Sequence, residues 1–278
     1  MCARAAAVAL LAMGPSAHAA SPDSPAAEQR QFQQYFQAKF PGVPLDEFAN
    51  GAYAIDPSMR KQWEDILQMP PYDFAIDEGK RLFEHPFADG KTYAQCLPGG
   101  GVGTRQSYPR FDPASGTVIT LPIALNGCRT ASGEPALDLE SGPMAALTAY
   151  LASTSRGKPF AVTIPDDPRA LAAFADGRAA FDDPRGTATT SCASCHVAGA
   201  GVRPDGGSIA PALGILASFP IYRSGWGEMG TVARRIRSCD AGIGNTPLAA
   251  DAPTYRNVEF YLSFMSNGVA IAGPGARP

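Results

Sequence analysis

Five consecutive residues constrain this chain most: Cys192-Ala193-Ser194-Cys195-His196. Two thiols three positions apart can reach the two vinyl groups on one edge of a haem, and a histidine directly after them swings under the iron. The spacing therefore predicts one covalent haem c, attached through Cys192 and Cys195 with His196 as proximal ligand. Other uses of the same residues fit less well. A zinc site would need further Cys or His pairs, and beyond residue 19 the only other histidine is His85, to which the sequence assigns no role. A thioredoxin-like pair would need a strand–helix–strand setting, and the flanking pattern offers none.

The chain has 278 residues, of which 45% are hydrophobic and 18% charged, a balance that buries a core. Its 29 glycines and 26 prolines predict many loops and interrupted helices. A net charge of −3 without a basic run argues against a nucleic-acid partner. No stretch after the N-terminus reaches the roughly 18 apolar residues of a membrane span. Residues 1–19 read as a signal peptide: Arg4 opens an apolar run, Gly14-Pro15 breaks it, and Ala17-His18-Ala19 supplies the small residues for cleavage before Ala20. Export to the periplasm is expected. Cys2 leaves with that segment, and five cysteines remain in an oxidising compartment. An odd number cannot be accounted for by disulfides alone.

Comparing the chain with itself shows a repeat. Residues 79–86 resemble 177–184, and each stretch is followed by a glycine, Gly90 or Gly186, six residues before Cys96 or Cys192. Farther on, Cys128 and Cys239 each lie 22 residues before a Tyr-Leu pair, Tyr150-Leu151 and Tyr261-Leu262. The segments 145–155 and 257–266 read as amphipathic helices packing over a haem edge. The expected architecture is mainly α: residues 20–73 a partly helical extension, 74–160 a degenerate cytochrome c-like domain without haem, and 161–278 a haem-bearing one. The prolines between 157 and 168 mark the boundary.

The copies differ at the attachment site. Leu97-Pro98-Gly99-Gly100 follows Cys96, so the second thiol and the histidine are missing there. Cys96 and Cys128 are then either a disulfide across the former haem site or two free buried thiols; the compartment favours the disulfide. Cys239 is the odd cysteine, 43 residues beyond His196. It is a candidate for the sixth iron ligand and for a reactive thiol, while Met229 and Met265 are the alternative ligands and a free surface thiol the plainer reading. Arg235 lies one helical turn before Cys239, where it could lower the thiol pKa and bind an oxyanion. Its counterpart before Cys128 is Ala124. Arg234 and Arg237 read first as a solvated basic face or partners of a haem carboxylate, with Arg237 also a candidate for substrate binding.

Together the signal segment, the haem-free unit with Cys96 and Cys128, the Cys192-Ala-Ser-Cys-His196 unit and Arg235-Ile-Arg-Ser-Cys239 resemble SoxA, the c-type cytochrome subunit family of the bacterial thiosulfate-oxidising system. Gly99-Gly100-Gly101-Val102-Gly103 with Tyr108-Pro109, Ser155-Arg156-Gly157-Lys158, and the terminal stretch from Tyr261 to Gly268 carry the likeness from about residue 45 to the end. Some members hold two haems; this chain is similar to the single-haem ones. The resemblance implies L-cysteine S-thiosulfotransferase activity, with haem iron held by His196 and by Cys239, whose sulfur in the family can carry a second sulfur. It implies Arg235 as the active-site arginine. It also implies a heterodimer with a small SoxX-type cytochrome c, joining thiosulfate oxidatively to a cysteine of the carrier SoxYZ, with two electrons passing to a soluble cytochrome c.

Two other readings stay open on the residues alone. One is a plain periplasmic electron-transfer cytochrome c without catalysis of its own. The other is a haem-based sensor or scaffold that docks partners, for which Phe32, Tyr35, Phe36 and Phe40 offer a helix face. Ordinary intramolecular packing explains that face more simply.

Overall fold

The structure, a computed structural model, describes residues 24–204 and 207–277; the predicted signal segment lies outside them. Proline at the first helical turn starts most of the longer helices, its fixed φ suiting that position. Helix α1 (Pro25–Lys39) is capped by the Ser24 side chain. Short helices α2 (Ala52–Ile55) and α3 (Pro57–Ile66) follow. Asp56 caps α3, its carboxylate accepting from the Ser58 and Met59 amides. Phe36 is fully buried against Phe48, and Phe32 and Phe40 pack on the main core, so the aromatic face of α1 is used within the chain. Tyr35 alone of the four is exposed.

The rest of the molecule runs through one succession of elements twice. Helix α4 (Asp73–Glu84) leads to α5 (Tyr93–Cys96), a hairpin of β1 (Arg110–Asp112) and β2 (Thr117–Ile119), α6 (Leu121–Ala131) and α7 (Gly142–Ser153). Helix α8 (Pro168–Asp182) leads to a π-helical turn (Ser194–Ala198), a hairpin of β3 (Ile221–Arg223) and β4 (Glu228–Gly230), α9 (Val232–Gly242) and α10 (Pro253–Met265). Strand β5 (Gly275–Arg277) then adds parallel to β3.

In each half the first helix crosses the last at a glycine. A Cβ on Gly79 would lie 1.9 Å from the Ala146 carbonyl oxygen, and one on Gly177 would lie 2.0 Å from that of Asn257. Backbones that close tolerate no side chain. The crossings α4–α7 and α8–α10 therefore set the frame on which the rest packs.

The helices over 145–155 and 257–266 are not amphipathic. Helix α7 buries every residue from Met144 to Thr148, and α10 buries every residue from Val258 to Met265. Each is a central helix packed on several sides at once: α10 meets α8, α1, α9 and β2. A one-sided apolar stripe suits a helix with a solvent face, and these have little of one. Among the described residues no helix is long and apolar enough to cross a membrane.

Candidate active site

Cys192, Cys195 and His196 are brought to one cavity with Cys239 and Arg235, although Arg235 lies 39 residues beyond His196 in sequence. The cavity has a volume of about 680 Å³ and apolar walls that include Phe219, Val232, Ile236, Val258 and Leu262. That size lies within the roughly 300–1,000 Å³ of small-molecule and cofactor sites. The Nδ1–H of His196 donates to the Ala210 carbonyl at 2.9 Å, which leaves Nε2 as the lone-pair nitrogen, the arrangement of a metal-ligating imidazole. Burial, reinforced by the positive charge of Arg235 and only partly offset by that hydrogen bond, holds the imidazole below its ordinary pKa and hence neutral. Among the described residues no cluster of three or more His, Cys, Asp or Glu could hold a bare metal ion. Attachment thiols, a neutral imidazole, a second soft ligand and a macrocycle-sized apolar chamber fit a haem.

The cavity wall is tied down from both ends of the chain. Arg185 donates to the Cys192 sulfur at 3.2 Å, while burial pushes that thiol up in pKa. The same guanidinium lies 3.3 Å from the Asp240 carboxylate, at ion-pair distance without hydrogen-bond alignment. Ser208, in the cavity lining, donates to Asp56 at 2.6 Å, and this bond does most to bring the Asp56 carboxyl down to about 2. Lys39 donates to the carbonyls of Val197 and Ala198, securing the turn after His196.

Met229 and Met265 do not line the cavity; Met229 packs between the halves and Met265 is fully buried in the main core. Cys239 is the candidate sixth ligand that the fold delivers. Arg235 faces the same cavity, and among the described residues its guanidinium has no hydrogen-bond or ion-pair partner. Arg237 is not brought there. Its Nε is paired with Glu140 at 2.7 Å, and it donates to the Leu248 carbonyl. The substrate-binding role expected for Arg237 is thus not what its position supports, because two residues past Arg235 on a helix is about 200° around, on the opposite side. A third residue on, Asp240 takes Tyr255 as a 2.6 Å donor. Arg234 pairs with Glu228 at 2.9 Å and lies over the Trp226 ring at 4.4 Å, a structural role.

Cys96 and Cys128 are joined as a disulfide with Cα atoms 5.8 Å apart. His85 is exposed at the end of α4. The sequence reasoning missed Arg223, Arg277 and Tyr53, which also line the cavity. Arg223 could have been found by aligning the two hairpins. Arg277 lies beyond the repeat and leaves no such signal.

The chain matches the family described as SoxA/TsdA, cytochrome c domain, over residues 78–160 and 176–271. Its class is therefore that of cytochrome c-domain proteins. A protein of Allochromatium vinosum named L-cysteine S-thiosulfotransferase subunit SoxA is 47% identical over 91% of this chain and 90% of its own length. A like-named protein of Chlorobaculum tepidum is 42% identical over 90% and 87%. The crystal structure of SoxXA from P. pantotrophus shares the fold, with a TM-score of 0.71 over 80% of this chain and 84% of that one at 23% identity. The chain belongs to the SoxA/TsdA cytochrome c family.

Proposed function

We propose that this chain is the cytochrome subunit of an L-cysteine S-thiosulfotransferase that joins thiosulfate to a cysteine of a SoxYZ-type carrier protein. The observation that carries the proposal is the meeting, in one cavity, of Cys239, the Cys192–His196 segment and cationic groups without acidic partners. The names of the relatives at 47% and 42% identity support the same activity. In this reading residues 1–19 direct export to the periplasm, 20–73 form an extension, 74–160 are a cytochrome unit without haem stapled by Cys96 and Cys128, and 161–278 carry the single haem. A small SoxX-type cytochrome c is the partner subunit, as the name of the SoxXA complex suggests.

Thiosulfate is a dianion, and Arg235 supplies a permanent positive charge with two aligned donors to hold it beside Cys239. Joining the outer sulfur of thiosulfate to a carrier thiol makes one S–S bond and releases one proton and two electrons, with soluble cytochrome c as the oxidant. A haem c bound through Cys192 and Cys195, with His196 and Cys239 as iron ligands, would supply a one-electron acceptor at the site. The apolar walls exclude water from the sulfur and strengthen the arginine–anion attraction.

The test uses the haem-loaded chain with its partner cytochrome, a carrier protein and thiosulfate. Cys239→Ala keeps the haem absorbance, alters the sixth-ligand bands and loses cytochrome c reduction. Wild-type turnover in this variant would refute the proposal, and an unchanged spectrum would remove Cys239 as a ligand. A plain electron carrier would show neither change.

A further inference from the structure

Strands β3 and β5 are parallel, with Arg223 directly paired to Arg277, so two guanidinium groups stand on neighbouring strands on one sheet face. Like charges so placed repel and destabilise the sheet unless something answers them. Both line the cavity that holds Arg235 and Cys239. Three cations thus converge: burial foremost, and the charge of Arg235 with it, lower the proton affinity of Arg223 and of Arg277, and Arg223 adds to the effect on Arg277.

No acid answers them among the described residues. Glu228 stands opposite Arg223 across the β3–β4 hairpin, but it is paired with Arg234. Asp240 is held by Tyr255 and lies beside Arg185. Arg277 is anchored by a 2.8 Å bond to the Ser218 hydroxyl and lies over the Tyr53 ring at 4.6 Å. Tyr53 itself is 1% exposed, yet its hydroxyl has no hydrogen-bond partner of acceptable geometry. A buried hydroxyl without a partner, beside partly buried cations that no acid answers, is costly in a native protein and points to a ligand.

The other half of the molecule shows that the fold does not require these charges. Arg223 ends β3 where Asp112 ends β1, and Arg235 precedes Cys239 by one turn where Ala124 precedes Cys128. The cations occur only beside the unpaired thiol.

We propose that Arg223 and Arg277, with the Tyr53 hydroxyl, complete with Arg235 an oxyanion subsite that binds the sulfonate end of thiosulfate, so that its outer sulfur is the end left to meet Cys239. The subsite rests on the thiosulfate reading above. The carboxylates of a bound haem have the same chemistry, and the test separates the two sources.

The variants are Arg223→Gln, Arg223→Lys and Tyr53→Phe, each as the haem-loaded chain with its partner cytochrome. Arg223→Gln should raise KM for thiosulfate at least about tenfold, and by more than it lowers kcat, since one charge-assisted hydrogen bond is lost. Arg223→Lys should recover part of that loss, and Tyr53→Phe should raise KM a few-fold. Calorimetric titration with sulfate, which needs no turnover, should show the affinity falling in parallel. Unchanged KM and sulfate affinity in soluble, haem-loaded Arg223→Gln would overturn the subsite. So would an unchanged KM with a shifted reduction potential, which would assign Arg223 to the haem carboxylates. If the wild type binds sulfate through these residues without turning over thiosulfate, the subsite stands and the proposed reaction fails.

Discussion

Five positions in the half around Cys128 and their five counterparts around Cys239 face different surroundings. Tyr108, Leu121, Leu125, Leu147 and Leu151 pack against one another and Cys128 in a closed core. Phe219, Val232, Ile236, Val258 and Leu262 hold the same places on the second set of elements, and they line the cavity. Leu97, buried after Cys96, helps fill the first core where Ala193 follows Cys192 in the second. Cys128 and Cys239 each lie seven residues into their helices, one bonded to Cys96 and the other unpaired. One helical frame thus carries either a sealed core or a chamber. The choice is made by a few side-chain volumes and one covalent bond, because close-packed interiors respond to single methylene groups.

The contrast can be broken most forcefully at the paired cysteines. Cys239→Ala should lower thiosulfate-dependent turnover at least about a thousandfold, since the variant loses both the thiol beside the bound anion and the proposed iron ligand. Cys128→Ser should leave turnover per folded molecule intact but cost about 3–4 kcal/mol in denaturant titrations, as expected for a bridge spanning 32 residues. If Cys128→Ser destroys turnover in the folded protein, the two halves do not divide labour in this way. Gly79→Ala and Gly177→Ala should each cost about 3 kcal/mol or more, because the added Cβ meets a carbonyl oxygen. Only Gly177→Ala should also alter the haem absorbance bands; an equal change from both would mean that the first crossing shapes the chamber too.

A smaller effect concerns charge. Glu259 on α10 is buried where α7 has Thr148, and burial, only partly countered by Arg105, raises its carboxyl to about 7. Its folded pKa lies above the unfolded value of about 4.3, so folding favours the protonated form. Stability should therefore be full below about pH 4 and fall as pH rises toward 7, by at most about 1.4 kcal/mol per unit. Glu259→Gln should remove this slope in melts run from pH 5 to 8, and a slope that persists would assign it to another group.

The repeat was legible in the sequence because it is carried by residues with no substitute. Glycine permits the crossings, and cysteine either bridges or stays reactive. The Cys192–His196 segment stood out for the same reason. Arg235 was found because it shares a helix with Cys239, at a spacing that fixes which residues lie on one face. Only its charge made Arg237 a candidate for the substrate; the same spacing turns it off that face, and Glu140 on a segment of the other half settles its direction. Local periodicity misjudged α7 and α10, since burial on several sides depends on neighbours that it does not record.

What the sequence determined by itself is the chemistry available: two thiols at the spacing of haem attachment, one histidine to follow them, a further cysteine from an odd count and the helical frame in two copies. Only the tertiary structure decided which charges meet that cysteine. Arg223, Arg277 and Tyr53 reach the cavity from two strands and an N-terminal helix, elements distant in sequence. Side-chain type and local spacing are written along the chain, whereas convergence of like charges around one cavity arises from long-range packing.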